Sequence, residues 1–274
     1  KKESEGGGGS KGGSDVNGET VESIIEKTLE KAKDVKSVES EYKMDVKMLI
    51  KAAGVSADMA IYAEGTAEAV KDPQAAHVNM TMTIEIPFSG TQSQGIDMYT
   101  FEKDGKTVAY ASYDDGQTWS ETEPGNVNTA EEQATGGLQE LKDAGVELTL
   151  EGKETFEGKE CFVIKADIDA EDLKLLMEKT SGSYGESIDS LDQLVGEGVD
   201  ITYHLYSYVD AETYEYRGFV IDMKDAMDAA MQVSVEQAKQ QGVDMECITD
   251  KAEVKMIFKS YNTTDKIDIP DAIK

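Results

Sequence analysis

The chain is poor in arginine, histidine and cysteine and has no long apolar run, and each shortage closes off a class of function. Arg217 is the single arginine among 27 basic residues, so the bidentate guanidinium clamps that recognise phosphate, carboxylate or sialic acid are missing. His77 and His204 are the only histidines, and neither lies in an HExxH or Cys/His ligand pattern. No metal site is expected. The sequence also lacks a GxSxG elbow, a GxxxxGK[ST] loop and a GxGxxG turn after a strand, which leaves hydrolase, NTPase and dinucleotide chemistry without a foothold. No stretch of 18 apolar residues occurs, so no helical membrane span is encoded. The reading is a non-enzymatic protein with no cofactor.

Charge narrows the partners further. With 56 acidic against 27 basic residues and a net charge of −29, the chain repels nucleic-acid backbones and anionic headgroups. Only Cys161 and Cys247 could form a disulfide, and their separation is far too wide for a CxxC motif. Two readings stand: a bridge closing a long loop, which would contribute about 4 kcal/mol by chain entropy, or two buried thiols.

The opening residues, KKESEGGGGSKGGSD, are Gly, Ser and charge without an apolar side chain, a composition that stays a flexible coil. Residues 1–17 are expected to be a tether, either an ordinary terminus or the linker that follows a lipid-modified Cys. Residues 18–274 are expected to form one domain, since the patterning after the tether has no internal linker.

That patterning begins helical, with Val21, Ile24, Ile25, Leu29, Ala32 and Val35 on one stripe of a helix over about Thr20 to Lys36. The period then drops to two. Tyr42, Met44, Val46, Met48 and Ile50 alternate with charged residues, as do Met59, Ile61 and Ala63, and Val78, Met80, Met82, Ile84, Ile86 and Phe88 alternate with polar ones. Strands follow near Ile96–Glu102 and Val108–Tyr113, turned by Lys103-Asp104-Gly105. Such a meander has one dry face and one that can meet water. Thr129 and Glu132 in capping-box spacing start a helical interlude that Gly145 ends. Further strands are expected at Val146–Leu150, through Phe162, Ile164, Ala166 and Ile168, at Ile201–Val209, at Tyr214–Met223 and at Ala252–Tyr261. Helices are expected from Asp169 and within Asp225–Gln241, with a loop over 180–199.

Two local features invite a chemical reading. Ser112-Tyr113-Asp114-Asp115-Gly116-Gln117-Thr118-Trp119 fits the pattern S-x-D-x-G-x-T-W of sialidase propellers, where it closes a hairpin turn. One box and one arginine do not make a glycosidase, so a structural turn is expected. The second feature is methionine on the dry face of the early strands: Met44, Met48, Met59, Met80, Met82 and Met98. Flexible thioethers suit a surface that accepts varied apolar shapes, and equally suit plain core.

The order of elements, with GKETFEGKECFVIKADI, YSYVDAETYEYRGFVIDM and VKMIFKSYNTTDKIDIPDAIK, resembles the LolA/LppX-like lipoprotein superfamily, and most closely a group of Gram-positive surface lipoproteins. The resemblance covers nearly everything after the tether. It implies an α+β fold in which a large curved antiparallel sheet, a half-barrel, packs helices on its concave face. It further implies a cell-envelope protein, anchored through a lipid on a removed N-terminal Cys at the extracellular face of the cytoplasmic membrane, monomeric, and able to hold an apolar small molecule or lipid. The ligand-facing residues are then expected on the dry face at Met44, Val46, Met48, Met59 and Ile61, continuing through Met80, Met82, Ile84, Ile86 and Met98. The alternative is an interaction module whose helices seal that face.

Overall fold

The computed structural model of the chain describes residues 16, 18–52, 54–87, 89–124, 129–172 and 201–274. Apart from Val16, the expected tether lies outside the described residues, as do most of the helix expected from Asp169 and the loop over 180–199.

The N-terminal stripe folds as α1 (Val21–Ala32), with Val21, Ile24, Ile25, Thr28 and Ala32 buried. Thr20 starts it with a capping box: the Ser23 N–H donates to the Thr20 hydroxyl and the Thr20 N–H donates to the Ser23 hydroxyl. Its entry is tied down by the Tyr214 hydroxyl, which donates to Glu19 at 2.8 Å, while Lys27 pairs with the same carboxylate.

Five strands and a sixth short one then meander: β1 (Ser37–Ala52), β2 (Val55–Lys71), β3 (Gln74–Ile86), β4 (Gly90–Lys103), β5 (Lys106–Ser112) and β6 (Ser120–Thr122). The helical interlude is two short helices, α2 (Ala130–Thr135) and α3 (Leu138–Ala144). They break at Gly136-Gly137, where both residues are left-handed. A second meander follows: β7 (Leu148–Phe156), β8 (Lys159–Asp169), β9 (Thr202–Asp210), β10 (Tyr216–Asp222), α4 (Lys224–Gln240) and β11 (Met245–Tyr261). The last strand is longer than its expected start at Ala252, because Met245, Cys247 and Thr249 keep the inward alternation through a bulge opposite Lys47/Met48.

All eleven strands form one antiparallel sheet in the order β6-β5-β4-β3-β2-β1-β11-β10-β9-β8-β7. The two meanders therefore meet along β1 and β11, paired from Val38 with Tyr261 to Ala52 with Met245. Inward positions carry Val38, Ser40, Tyr42, Met44, Val46 and Met48. Outward ones carry opposite charges, such as Lys251 with Asp45 at 3.1 Å and Lys259 with Glu41 at 3.3 Å.

The sheet curls around its helices. Helix α1 touches β7 at one edge, α2 touches β1 and β2, and α1 touches α2. On a flat sheet β7 and β2 would lie roughly 29 Å apart at a strand spacing of about 4.8 Å, more than two helix diameters of about 10 Å each. The central core is a single cluster running from Ala76 of β3 through Val38, Phe258, Tyr216 and Val209 to Leu150 of β7, capped by Ile24, Ala130 and Leu138. The fold is thus α+β with helices on the concave face, as expected.

The convex face is drier than the alternation suggested. The C-terminal residues Ile267, Ile269 and Ile273 cross it and pack on Ala75, Tyr99, Phe101 and Trp119. A second outer cluster joins Phe156, Cys161, Ile257, Tyr208 and Val220.

At the corner between α2 and α3, Gly136 sits directly on the ring of Tyr216. A methyl group at Gly136 would collide with the ring of Tyr216, and the residue has φ +64°. Gly136→Ala is expected to destabilise the fold by about 2–4 kcal/mol through overpacking and left-handed strain combined, a shift that chemical denaturation would measure.

Candidate functional site

The concave face is not completely filled. Between the α2–α3 corner and the sheet lies an open cavity of about 520 Å³. Its origin is a patch of small inward side chains. One row across the sheet reads Phe258, Ser40, Ala67, Val78 and Met98 on β11, β1, β2, β3 and β4. The next row contributes Val38, Ala69, Ala76 and Thr100. Ser40, Ala67 and Ala76 carry little side-chain volume, so the sheet floor is hollow at that point.

Larger groups form the walls. Met98 stands on one side; Phe219, Met256 and Phe258 stand on the other, with Tyr216 at the end nearest Gly136 and Gly137. Tyr216 is fully buried, its hydroxyl donating to Ser207 at 3.2 Å, and burial pushes its ionisation well above the ordinary tyrosine range. It acts as a fixed wall and not as an acid or base. Glu132 lies at the rim, where its carboxylate accepts the Thr129 N–H at 2.7 Å and completes the α2 capping box. The lining is predominantly apolar with a few polar groups at its edge, the composition of a small-molecule pocket.

The expected ligand-facing residues separate into three groups. Met98 lines the cavity. Met44, Val46, Met48, Met59 and Ile61 gather further along the sheet beneath α4, packed with Met223, Met227, Met231, Val235 and Cys247. Met80, Met82 and Ile84 lie between, half-buried on the same inward face of β3, and Ile86 is exposed at the strand end. Ala67, Ala76, Phe219, Met256 and Phe258, which also line the cavity, are residues that sequence reasoning did not single out. For Ala67 and Ala76 the signal in the sequence is smallness at inward positions of β2 and β3, which marks missing volume.

The S-x-D-x-G-x-T-W segment is a turn. The Thr118 N–H and hydroxyl both donate to Asp114, at 2.8 and 2.6 Å, the Ser112 hydroxyl donates to it at 2.8 Å, and the Trp119 indole donates to the Gly116 carbonyl at 3.1 Å. These donors, led by Thr118, hold the Asp114 carboxyl down at about 2. Trp119 packs edge-on against Tyr99 in the outer cluster. The segment therefore anchors β5 to the convex face and contributes nothing to the cavity.

Of the two readings open for the cysteines, the structure has the free thiols. Cys161 is buried in the outer cluster and Cys247 beneath α4 on the inner face, so the sheet itself stands between them. Burial pushes the Cys161 thiol up to about 11 and raises Cys247 as well. Native protein is expected to be inert to Ellman's reagent and to titrate both thiols only after denaturation. Rapid reaction of either in the folded state would contradict this placement.

Among the described residues, no helix is long and apolar enough to cross a membrane. Several solved structures are similar to this chain, and they include members of the superfamily that its sequence resembles. LprF from Mycobacterium bovis aligns over 92% of this chain and 96% of its own, at 10% identity and a TM-score of 0.45. The lipoprotein LppX from Mycobacterium tuberculosis aligns over 90% and 98%, at 13% identity and a TM-score of 0.38. A LolA superfamily protein from Nitrosomonas europaea aligns over 93% and 97%, at 11% identity and a TM-score of 0.21. No curated protein matches the sequence. Residues 20–274 match the Family of unknown function (DUF6612), and the chain belongs to that family.

Proposed function

We propose that the protein binds an apolar ligand of about the size of a single acyl chain in the cavity between the α2–α3 corner and the concave sheet. The observation that carries this reading is the hollow floor itself: about 520 Å³ bounded by Ala67, Ala76, Val78, Met98, Phe219 and Met256. Its volume falls within the roughly 300–1,000 Å³ of small-molecule sites. An apolar guest gains about 0.8 kcal/mol for each methylene it removes from water. Met98 and Met256 let the walls adapt to the guest's shape, and the mouth toward solvent gives it a way in.

The same proposal assigns the protein to the cell envelope as a monomeric carrier or sensor. Residues 1–17 would tether the domain to a lipid anchor at the outer face of the cytoplasmic membrane. The support is their Gly/Ser-rich composition. The charge of −29 keeps the body away from anionic headgroups, so contact with the bilayer would run through the anchor.

The test pairs native mass spectrometry of protein purified from its host with titration by a fluorescent acyl probe. A lipid-mass adduct and saturable probe binding are expected. Ala67→Phe, which fills the floor, is expected to remove the adduct and weaken the probe about tenfold, equivalent to about 1.4 kcal/mol, while the thermal midpoint is retained. Absence of both adduct and probe binding in the parent protein, or a variant that binds as well as the parent, would overturn the reading.

A further inference from the structure

The two edges of the sheet are protected unequally. At one end the edge strand β7 carries Glu151, Lys153 and Glu154 and is bent by a bulge between Leu150 and Gly152, the usual devices against pairing with another chain. At the other end β6 is only three residues long. Between them β4 is left half-covered. It pairs with β3 from Gly90 to Phe101, but with β5 only from Asp97 to Lys103.

Residues Gly90 to Ile96 are therefore hydrogen-bonded on one side only, among the described residues. Gly90 to Gln94 are exposed. This stretch, Gly-Thr-Gln-Ser-Gln-Gly-Ile, has no charge and no proline, in a chain of which 30% is charged. It has none of the features that block strand addition.

We propose that this free edge of β4 is a docking strand for an extended, basic segment of a partner polypeptide, which joins the sheet as an additional strand. Backbone pairing would supply the affinity and alternate side chains the selection. The inward positions Gln92, Gln94 and Ile96 lie in register with Ile84, Met82 and Met80, so inward residues of an added strand would meet two glutamines and one isoleucine. On the outward side stand Glu85, opposite Thr91, and Asp115, whose Oδ1 lies 3.3 Å from where a Gly95 Cβ would be. Outward lysines of the partner would face these acids.

A second copy of this chain fits poorly. Two bodies of charge −29 repel, and an edge this short buries far less than the roughly 1,200–2,000 Å² of a stable interface.

The experiment uses the whole chain and a short peptide alternating valine and lysine, with amide hydrogen exchange and fluorescence anisotropy as readouts. Protection is expected to appear at residues 90–96. Ser93→Pro, and separately the exposed Thr91→Lys, which places like charge against the peptide and leaves the strand intact, are each expected to weaken binding about tenfold. A peptide N-methylated along one edge, or one with glutamate in place of lysine, is expected to lose binding. The proposal is overturned by protection that appears elsewhere, by no binding at all, or by equal affinity of the N-methylated or glutamate peptide. It is equally overturned if sedimentation shows a homodimer that Ser93→Pro dissolves.

Discussion

The structure depends on the pairing of β1 with β11. Every other strand pair joins neighbours in sequence, but this seam joins the first strand to the last. It is long and doubly specified. Its inward side matches Val38 with Tyr261, Ser40 with Phe258 and Tyr42 with Met256, and on its outward side lysines reach acids diagonally, Lys251 to Asp45 and Lys259 to Glu41. A slip of one residue would place those charges in the core and the apolar residues in water. Asn262 closes the lower end: its side chain accepts the Lys36 N–H at 2.7 Å, and its own N–H donates to the Ser37 carbonyl at 2.9 Å.

Because the seam lies mid-sheet, the concave surface is assembled from both halves of the chain. Ser40, Ala67, Ala76, Val78 and Met98 come from the first meander, and Phe219, Met256 and Phe258 from the second. The helices cannot fill the resulting trough evenly. Helix α4 brings Met227, Met231 and Val235 onto large partners and closes its part. The α2–α3 corner brings two glycines over a floor of small residues and leaves a gap. Side-chain volume, inward position by inward position, decides which part of the trough is core and which is cavity.

How much of this was legible in the sequence follows from which signals are local. Alternation in β1 to β3, the stripe of α1 and the Thr129–Glu132 box are short-range patterns, and each element appears where its pattern lies. The turn role of Asp114 was legible for the same reason, since all its donors lie within four residues. The lining was not, because it depends on register between strands distant in sequence: Phe258 meets Ser40, and Phe219 meets Met256, only across the sheet. Methionine drew attention to the inward face but could not say which part α4 would cover. The drying of the convex face was also hidden, as Ile267, Ile269 and Ile273 form no regular period of their own.

The proposed site exists because the small-residue floor of the concave face leaves room that the helices do not fill. The most direct measurement is a crystal structure of protein purified from its host. Elongated density is expected along the floor between Ala67, Val78 and Met98 on one side and Phe219 and Met256 on the other. Side chains collapsed into that space, or ordered water alone within it, would rule out an apolar ligand there.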